Sequence, residues 1–430
     1  MSKKRKRKNL LAGLGFILPF FILYTVFTIW PVIQGIYVSL HKWSLMGKVK
    51  FVGFDNYIKF LGDKKFLDAL WHTTYFVLIT TPLLVIMALI LALFANRPNK
   101  LKKGLRICYY LPSVLSVSVA AFVAKYMFTP YRGFINGFLH FIKVLPPDRE
   151  LQWLNESGLA WAAITSMTIW WTVGFSMLLY LSALQDISPQ IYEAASIDGA
   201  TKRQQLFSIV LPLLKPTTYL VILLQVIACF KVFGQIYMIT GGGPAGSTRP
   251  LIQYIYETAF KKNNMGYAAA MSYVLFLILV VLTIVQKTIE RKGQRLMNTK
   301  AKKKPGSVVL SVISVILAVI FMTPILWSLA VSFQREGKQI NSILDWFTPP
   351  YTFQNYPDLI LGSDVTKWLF NSVFIAVLTT VLTVILSAMA AYALAKIKFK
   401  GSSALYFYFL LGLMVPGEAT IVPLLSPQTA

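Results

Sequence analysis

The sequence predicts an all-α protein that crosses a membrane many times, and three observations support this fold class. Hydrophobic residues make up 56% of the 430-residue chain and charged residues only 13%, whereas soluble globular proteins carry about 25% charged residues. Apolar runs long enough for a helix of roughly 20 residues to cross a bilayer recur along the chain. Basic residues concentrate in every second connection between these runs, a pattern typical of cytoplasmic loops.

Nine apolar runs are predicted to span the membrane. Their limits are residues 10–40, 75–94, 107–128, 161–184, 217–240, 268–285, 308–333, 369–395 and 404–425. The first run is longer than the apolar region of a cleavable signal peptide, and no small-residue cleavage site follows it. We therefore expect the first run to remain in the protein as a membrane helix.

The charged residues predict the orientation of the chain. Basic clusters occur at residues 3–8, 97–106, 202–203, 287–304 and 396–400, while the intervening loops hold more of the acidic residues. This alternation follows the positive-inside rule, so it places the N-terminus in the cytoplasm and the C-terminus outside. The net charge of +26 needs no partner beyond the membrane and its lipids, and a nucleic-acid-binding role is not expected.

Part of the chain resembles another part of the same chain. Residues 31–39 resemble residues 324–332, and the pair Asn56–Tyr57 recurs as Asn355–Tyr356. Six spans would return the chain to the cytoplasm, so both copies run in the same direction, which is a parallel repeat of the kind found in transporters. The repeat predicts a complete domain over residues 1–295, a basic linker over residues 296–304 and a partial second domain over residues 305–430, which we expect to be truncated.

A polar segment interrupts the apolar pattern at residues 189–212. Ser188 and Pro189 are typical of a helix start, with serine as N-cap and proline at the first helical position. Gly199 lies within the segment and favours a turn, because glycine lacks a side chain and costs about 1 kcal/mol against alanine inside a helix. We expect a short helix, an elbow at Gly199 and a second helix on the cytoplasmic face.

The spacing of this segment resembles a known family. Its residues follow the order E-A-A, three residues, G, nine residues, I, one residue, L-P, from Glu193 to Pro212. This order resembles the signature of the membrane subunits of bacterial ABC importers. Residues 1–295 resemble the sugar-importer branch, relatives of the maltose-permease first subunit, through FVGFDNY (51–57), YLPSVL (110–115) and FGQIYMITGGGP (233–244). Residues 305–425 resemble the companion permease subunit, which is normally a separate chain.

The resemblance implies a fold, a mechanism and partners. The fold would be the transmembrane domain of an ABC type I importer with six spans, followed by a partial repeat with three. The segment would dock on a separate ATPase subunit through Glu193, Ala194, Ala195, Asp198, Gly199, Ile209, Leu211 and Pro212. An external binding protein would deliver a carbohydrate or sugar-like solute, and an intact second permease subunit is expected as a partner. This chain is expected to be a multi-pass protein of the plasma membrane of a prokaryote. No cofactor is expected in this chain, since ATP and magnesium would bind the ATPase, and the chain is not expected to be an enzyme.

Further candidate residues lie in spans four and five and in the loop that follows. The possible solute pathway comprises Trp171, Ser176, Tyr180, Gln225 and Cys229, although such polar residues often only join helices by packing and hydrogen bonds. The loop Gly241, Gly242, Gly243 and Pro244 is expected to face the binding protein. It lacks the lysine of a phosphate-binding loop, and the histidines show no metal-ligand spacing. Structural roles are favoured for Lys125 and Glu418, two ionisable residues within spans.

Two alternatives stay open at this point. A proton- or sodium-coupled secondary transporter would need acids buried in its spans and would leave the segment Glu193–Pro212 without a purpose. The chain could also be a fused, truncated permease that is inactive without a second subunit.

Overall fold

The structure is a computed structural model, and it describes residues 3–44, 47–97, 101–146, 148–294, 308–335, 345, 347–397, 399 and 401–414. Six helices in these ranges are long and apolar enough to cross a membrane: Leu11–Ser39, Lys64–Ala95, Ser157–Asp186, Met265–Gln286, Val312–Ser332 and Val365–Lys396. The prediction of an α-helical, multi-pass membrane protein is confirmed.

The helices and strands follow one another in this order: α1 (Lys3–Tyr24), α2 (Trp30–Ser39), β1 (His41–Ser44), β2 (Gly47–Phe51), α3 (Asp55–Gly62), α4 (Lys64–Ala95), α5 (Lys102–Tyr110), α6 (Val117–Met127), α7 (Phe134–Phe141), α8 (Ser157–Asp186), α9 (Gln190–Ile197), α10 (Lys202–Gln204), α11 (Leu211–Leu213), α12 (Lys215–Phe230), α13 (Gly234–Ile239), α14 (Leu251–Tyr256), α15 (Met265–Gln294), α16 (Val308–Ser332), α17 (Asn355–Gly362), α18 (Val365–Lys396) and α19 (Ser402–Met414). The two strands form an antiparallel hairpin in which His41 pairs with Phe51.

Two of the nine predicted spans are not single straight helices. The third is broken between α5 and α6, which meet at 97°, because Pro112 lies in a 3₁₀ turn and Ser116 starts the next helix as its N-cap. The fifth ends at Phe230, and α13 begins only at Gly234. The second half of the ninth predicted span, together with Glu418 and the linker at residues 296–304, lies outside the described residues.

The chain divides into two compact units, of which the first contains the described parts of Met1–Asp63, Ile255–Val280 and Thr352–Ala430. In this unit α1 packs against α18 and meets α19 through aromatic side chains. The Tyr24 hydroxyl donates a hydrogen bond to the Tyr408 carbonyl at 2.9 Å, and the Phe20 ring meets the Phe409 ring edge-on at 4.8 Å. The second predicted domain therefore contributes helices that pack on the first span.

The second unit contains Lys64–Tyr254 and the described part of Val281–Tyr351. Helix α4 forms its centre and packs on α8 and α12. Helix α8 also approaches α5 closely at Gly174, where an added Cβ would lie 2.6 Å from the Tyr109 carbonyl oxygen. The Tyr109 hydroxyl donates to the Ser314 carbonyl at 2.5 Å and so joins α5 to α16.

The order of elements recurs along the chain. The 8-residue helix α3 precedes the 32-residue helix α4, and the 8-residue helix α17 precedes the 32-residue helix α18. The same pair of helix lengths therefore occurs at both places, while the parallel direction of the repeat stays a prediction.

Candidate functional site

The polar segment, residues 189–212, is anchored to the core of the second unit. In α9, Ile191 and Ala195 are buried in the same apolar cluster as Leu84 of α4 and Leu184 of α8. Burial also raises the pKa of Tyr192 on the same helix, because the ionised phenolate loses its hydration. The inner face of α9 is therefore held by apolar packing against the membrane helices.

The start of α9 differs from the prediction. The helix begins at Gln190, and no side chain caps it. The Ser188 hydroxyl instead contacts the Gln190 side chain, and the main-chain carbonyl of Ser188 accepts from the Ile191 amide at 3.0 Å. Serine at this position therefore shapes the turn through its backbone and does not act as an N-cap.

Helix α9 ends in a sharp elbow at Gly199. The Ala200 amide donates to the Ala195 carbonyl at 2.7 Å, and the Gly199 amide donates to the Ser196 carbonyl at 3.2 Å. These are the two bonds of a Schellman motif, in which the residue after the C-cap takes a left-handed conformation. Gly199 has that conformation, with φ +73°, so the structure has the predicted elbow at the predicted glycine.

A second set of hydrogen bonds fixes the chain after the elbow. Thr201 and Gln204 form a reciprocal capping box at the start of α10. The Gln205 amide donates to the Ser196 hydroxyl at 3.0 Å and to the Ala200 carbonyl at 3.3 Å. Since Ser196 belongs to α9, Gln205 ties the two arms of the elbow together.

The outer face of the elbow carries exposed apolar side chains. Ile197 is 85% exposed and Phe207 is 58% exposed, while Ala194 and Asp198 are exposed beside Ile197. The Arg203 guanidinium lies 6.0 Å from the centre of the Phe207 ring. Sequence analysis missed Ile197 and Phe207 as candidate contact residues, although a bulky apolar residue beside a polar elbow was a usable signal.

The other predicted residues of the segment have different surroundings. Glu193 is half-buried, and Ile209, Leu211 and Pro212 are also half-buried. Ile209 packs against the cluster that contains Ile191 and Ala195. Ile209 therefore helps to anchor the segment, and the exposed predicted residues are Ala194, Asp198 and Gly199.

The predicted solute-pathway residues are mostly packed between helices. The Gln225 amide donates to the Ser176 hydroxyl at 2.9 Å, and Tyr180 and Cys229 are buried. The Trp171 indole N–H donates to the Leu115 carbonyl at 2.9 Å. The structure thus brings Ser176 and Gln225 together in an interhelical hydrogen bond, which is the alternative that sequence analysis left open for such residues.

The glycine loop after α13 is held by an internal hydrogen-bond network. The Thr248 hydroxyl donates to the Gly243 carbonyl at 2.6 Å, and the Gln253 amide donates to the Gly241 carbonyl at 2.7 Å. Gly241 is exposed, whereas Gly242 is buried. The exposed residues of the loop are therefore Gly241 and Ala245, while Pro244 is half-buried.

Comparison with known families identifies the chain. Residues 59–294 match the family described as "Binding-protein-dependent transport system inner membrane component". The chain belongs to this family. As an inner membrane component of this kind, it is a permease subunit of an ABC importer, which transports solute and is not an enzyme. Membership also implies an ATPase and a solute-binding protein as partners.

Individual relatives of this inner membrane component are also named as permease proteins of transport systems. The sulfoquinovosyl glycerol transport system permease protein of Agrobacterium fabrum is 34% identical over 64% of this chain and 88% of its own length. The multiple sugar-binding transport system permease protein of Streptococcus mutans is 33% identical over 67% of this chain and 98% of its own length. A chain of a bacterial alginate ABC transporter crystal structure has the same fold, with a TM-score of 0.58 and 23% identity over 67% of this chain and 96% of that chain.

Proposed function

We propose that this permease imports a carbohydrate or sugar-like solute, such as an oligosaccharide or glycerol 3-phosphate, and that the polar segment, residues 189–212, couples it to the ATPase through Glu193–Pro212. The relatives reported above are named for sulfoquinovosyl glycerol transport and for a multiple sugar-binding transport system. Another, in Agrobacterium fabrum, is named for sn-glycerol-3-phosphate transport. Their shared chemistry is a polyhydroxylated carbon chain, and this supports a solute of the same class.

One observation carries the coupling role, namely that the segment is anchored on one face and exposed on the other. Ile191 and Val210 are buried in the core cluster on either side of the elbow, while Ile197 is 85% exposed at its tip. An exposed isoleucine at the end of a rigid elbow suits an apolar pocket on a partner, because burying it stabilises a complex by about 1.5–3 kcal/mol. If that partner moved, it would displace the membrane helices α4 and α8, because Ile191 and Val210 pack against them.

The test is Ile197→Asp in a transporter reconstituted with its ATPase and binding protein. We expect the variant to lose ATPase co-purification and ATP-driven uptake, since a carboxylate would be placed in an apolar pocket. The matched control is Leu101→Asp, because Leu101 is 57% exposed and lies in another loop that is predicted to be cytoplasmic. Unchanged binding and uptake in Ile197→Asp would refute the coupling role.

We infer that the active importer also contains an intact second permease subunit. Within the described residues we find one anchored elbow of this kind, at Gly199, and by the family resemblance an ATPase dimer engages two. The purified importer is expected to contain this chain and a different permease chain. Uptake by this chain with only the ATPase and the binding protein would refute that composition. It would also refute the alternative of a fused, truncated permease that is inactive without a second subunit.

The orientation follows from the same proposal, with the N-terminus and the elbow in the cytoplasm. Asp198 is exposed at the elbow, so a cysteine introduced by Asp198→Cys is expected to react with a membrane-impermeant maleimide only in inside-out vesicles. Uptake driven by a proton gradient without ATP would instead favour the secondary-transporter alternative.

A further inference from the structure

The second unit contains an apolar cleft that the solute pathway and the polar segment do not use. Helices α6, α7, α8 and α16 line it, and its volume is about 360 Å³. Its walls include Met127 of α6, Phe134 and Phe138 of α7, Met167 of α8 and Pro324 of α16. None of the five predicted pathway residues lines this cleft.

The few polar groups in the cleft already have hydrogen-bond partners. The Ser166 hydroxyl donates to the Ala163 carbonyl at 3.0 Å, and the Thr323 hydroxyl donates to the Val319 carbonyl at 2.8 Å. The Trp170 indole N–H donates to the Phe321 carbonyl at 2.8 Å. A sugar in the cleft would therefore lose its own hydrogen bonds to water without gaining matching ones, and the cleft does not suit the transported solute.

The apolar walls of this cleft favour a hydrocarbon ligand. A buried water needs two to four polar partners, so an apolar space of this kind excludes ordered water. An empty space would forfeit the dispersion contacts of its aromatic and methionine walls. Its volume of 360 Å³ is more than twice that of an apolar cavity of about 150 Å³ that binds benzene, so an extended hydrocarbon chain has room.

A positive charge lies beside the cleft. Lys125 is exposed on α6, directly after Ala124, which lines the cleft, and three residues before Phe128, which also lines it. Residues three apart are neighbours on a helix surface. Lys125 has no ion pair with a carboxylate in the described part of the chain, so its ammonium group is available to an external anion.

We propose that the cleft binds one acyl chain of an anionic membrane phospholipid, with the lipid phosphate near Lys125. The chain would fill the space between α16 and the helices α6–α8, and the charge of Lys125 would select an anionic headgroup. Such a lipid would join the first helix of the second predicted domain to the first domain. This proposal does not depend on which solute is imported.

Native mass spectrometry of the purified protein tests the proposal, after equal exposure to phosphatidylglycerol and phosphatidylcholine vesicles. The wild type is expected to retain one lipid, with phosphatidylglycerol preferred. Ala124→Trp fills the cleft and is expected to lower retention of both lipids about tenfold or more, since the acyl chain loses its apolar site. Phe122→Trp is the matched control, because Phe122 is 62% exposed on the same helix and does not line the cleft.

The second variant, Lys125→Gln, separates the headgroup from the chain. It is expected to keep lipid retention but to abolish the preference for phosphatidylglycerol, whereas Lys103→Gln should keep that preference. Circular dichroism and gel filtration would establish that each variant folds. If folded Ala124→Trp retains lipid as the wild type does, the acyl-chain site is wrong, and if Lys125→Gln keeps the headgroup preference, the role of Lys125 is wrong.

Discussion

Replacing Gly199 with alanine is the sharpest test of the elbow, because the backbone there is left-handed at φ +73°. A left-handed conformation costs an L-amino acid roughly 1–2 kcal/mol. Alanine also reduces the freedom of the disordered chain, which returns about 0.4–1 kcal/mol. The added Cβ itself would meet no atom within 4 Å, so the penalty is conformational and not steric.

The net cost is therefore about 1 kcal/mol, which lowers the population of the elbow relative to its open forms about fivefold. The two amides that close the elbow are those of Gly199 and Ala200, which donate to Ser196 and Ala195. We expect residues 199 and 200 to exchange their amide hydrogens about fivefold faster in Gly199→Ala, since exchange follows the local opening equilibrium.

Hydrogen exchange and ATP-driven uptake are measured together in this experiment. Gly158→Ala is the matched control, since Gly158 lies in the first turn of α8 with nothing within 4 Å of an added Cβ and without a left-handed backbone. Gly199→Asn is expected to fall between wild type and alanine, because asparagine tolerates this conformation better. Exchange at residues 199 and 200 that matches the wild type in Gly199→Ala would refute the strain argument.

Three further outcomes follow from packing. Gln225→Ala removes the hydrogen bond to Ser176 and is expected to lower the free energy of unfolding by about 0.6 kcal/mol, the average contribution of an interhelical hydrogen bond in a membrane. Lost uptake with an unchanged melting temperature would instead indicate that Gln225 contacts the solute. Gly174→Leu is expected to destabilise the protein by about 1–3 kcal/mol or more through overpacking against Tyr109, and a normal melting temperature would contradict the close approach. Thr248→Val removes the hydrogen bond to Gly243 and is expected to loosen the glycine loop. The binding protein should then stimulate ATP hydrolysis less, while basal hydrolysis stays unchanged. Stimulation equal to that of the wild type would contradict a role of this loop in contacting the binding protein.

The sequence was sufficient to predict six of the membrane helices and the elbow, because local physics decides both. Long apolar runs have no alternative to a helix in lipid, and Gly199 follows directly on the polar end of a short helix. The break between α5 and α6 was missed because Pro112 and Ser116 lie inside a run whose hydropathy alone satisfies a membrane span. A mean hydropathy is taken over many residues, so it does not detect a single proline that breaks the helix, such as Pro112.

The candidate site was predicted only in part, because exposure depends on neighbours that are distant in sequence. Within the signature, Ala195 is buried and Ala194 is exposed, although the two residues have the same chemistry. Ile197 would be expected inside by composition, yet its position on α9 turns it away from the core. Likewise the sequence alone did not pair Gln225 with Ser176, because the two residues lie 49 positions apart in the chain.

These contacts form a continuous mechanical link from the elbow to the membrane helices of the second unit. Ile191 and Val210 lie in one apolar cluster with Leu84 and Tyr109, so displacement of the elbow must move α4 and α5 or create a cavity between them. Close-packed cores resist such cavities. The hydrogen bond from Tyr109 to Ser314 extends these contacts to α16. Under the proposed coupling role, a partner bound at Ile197 would therefore act on α4, α5 and α16 through a continuous set of contacts.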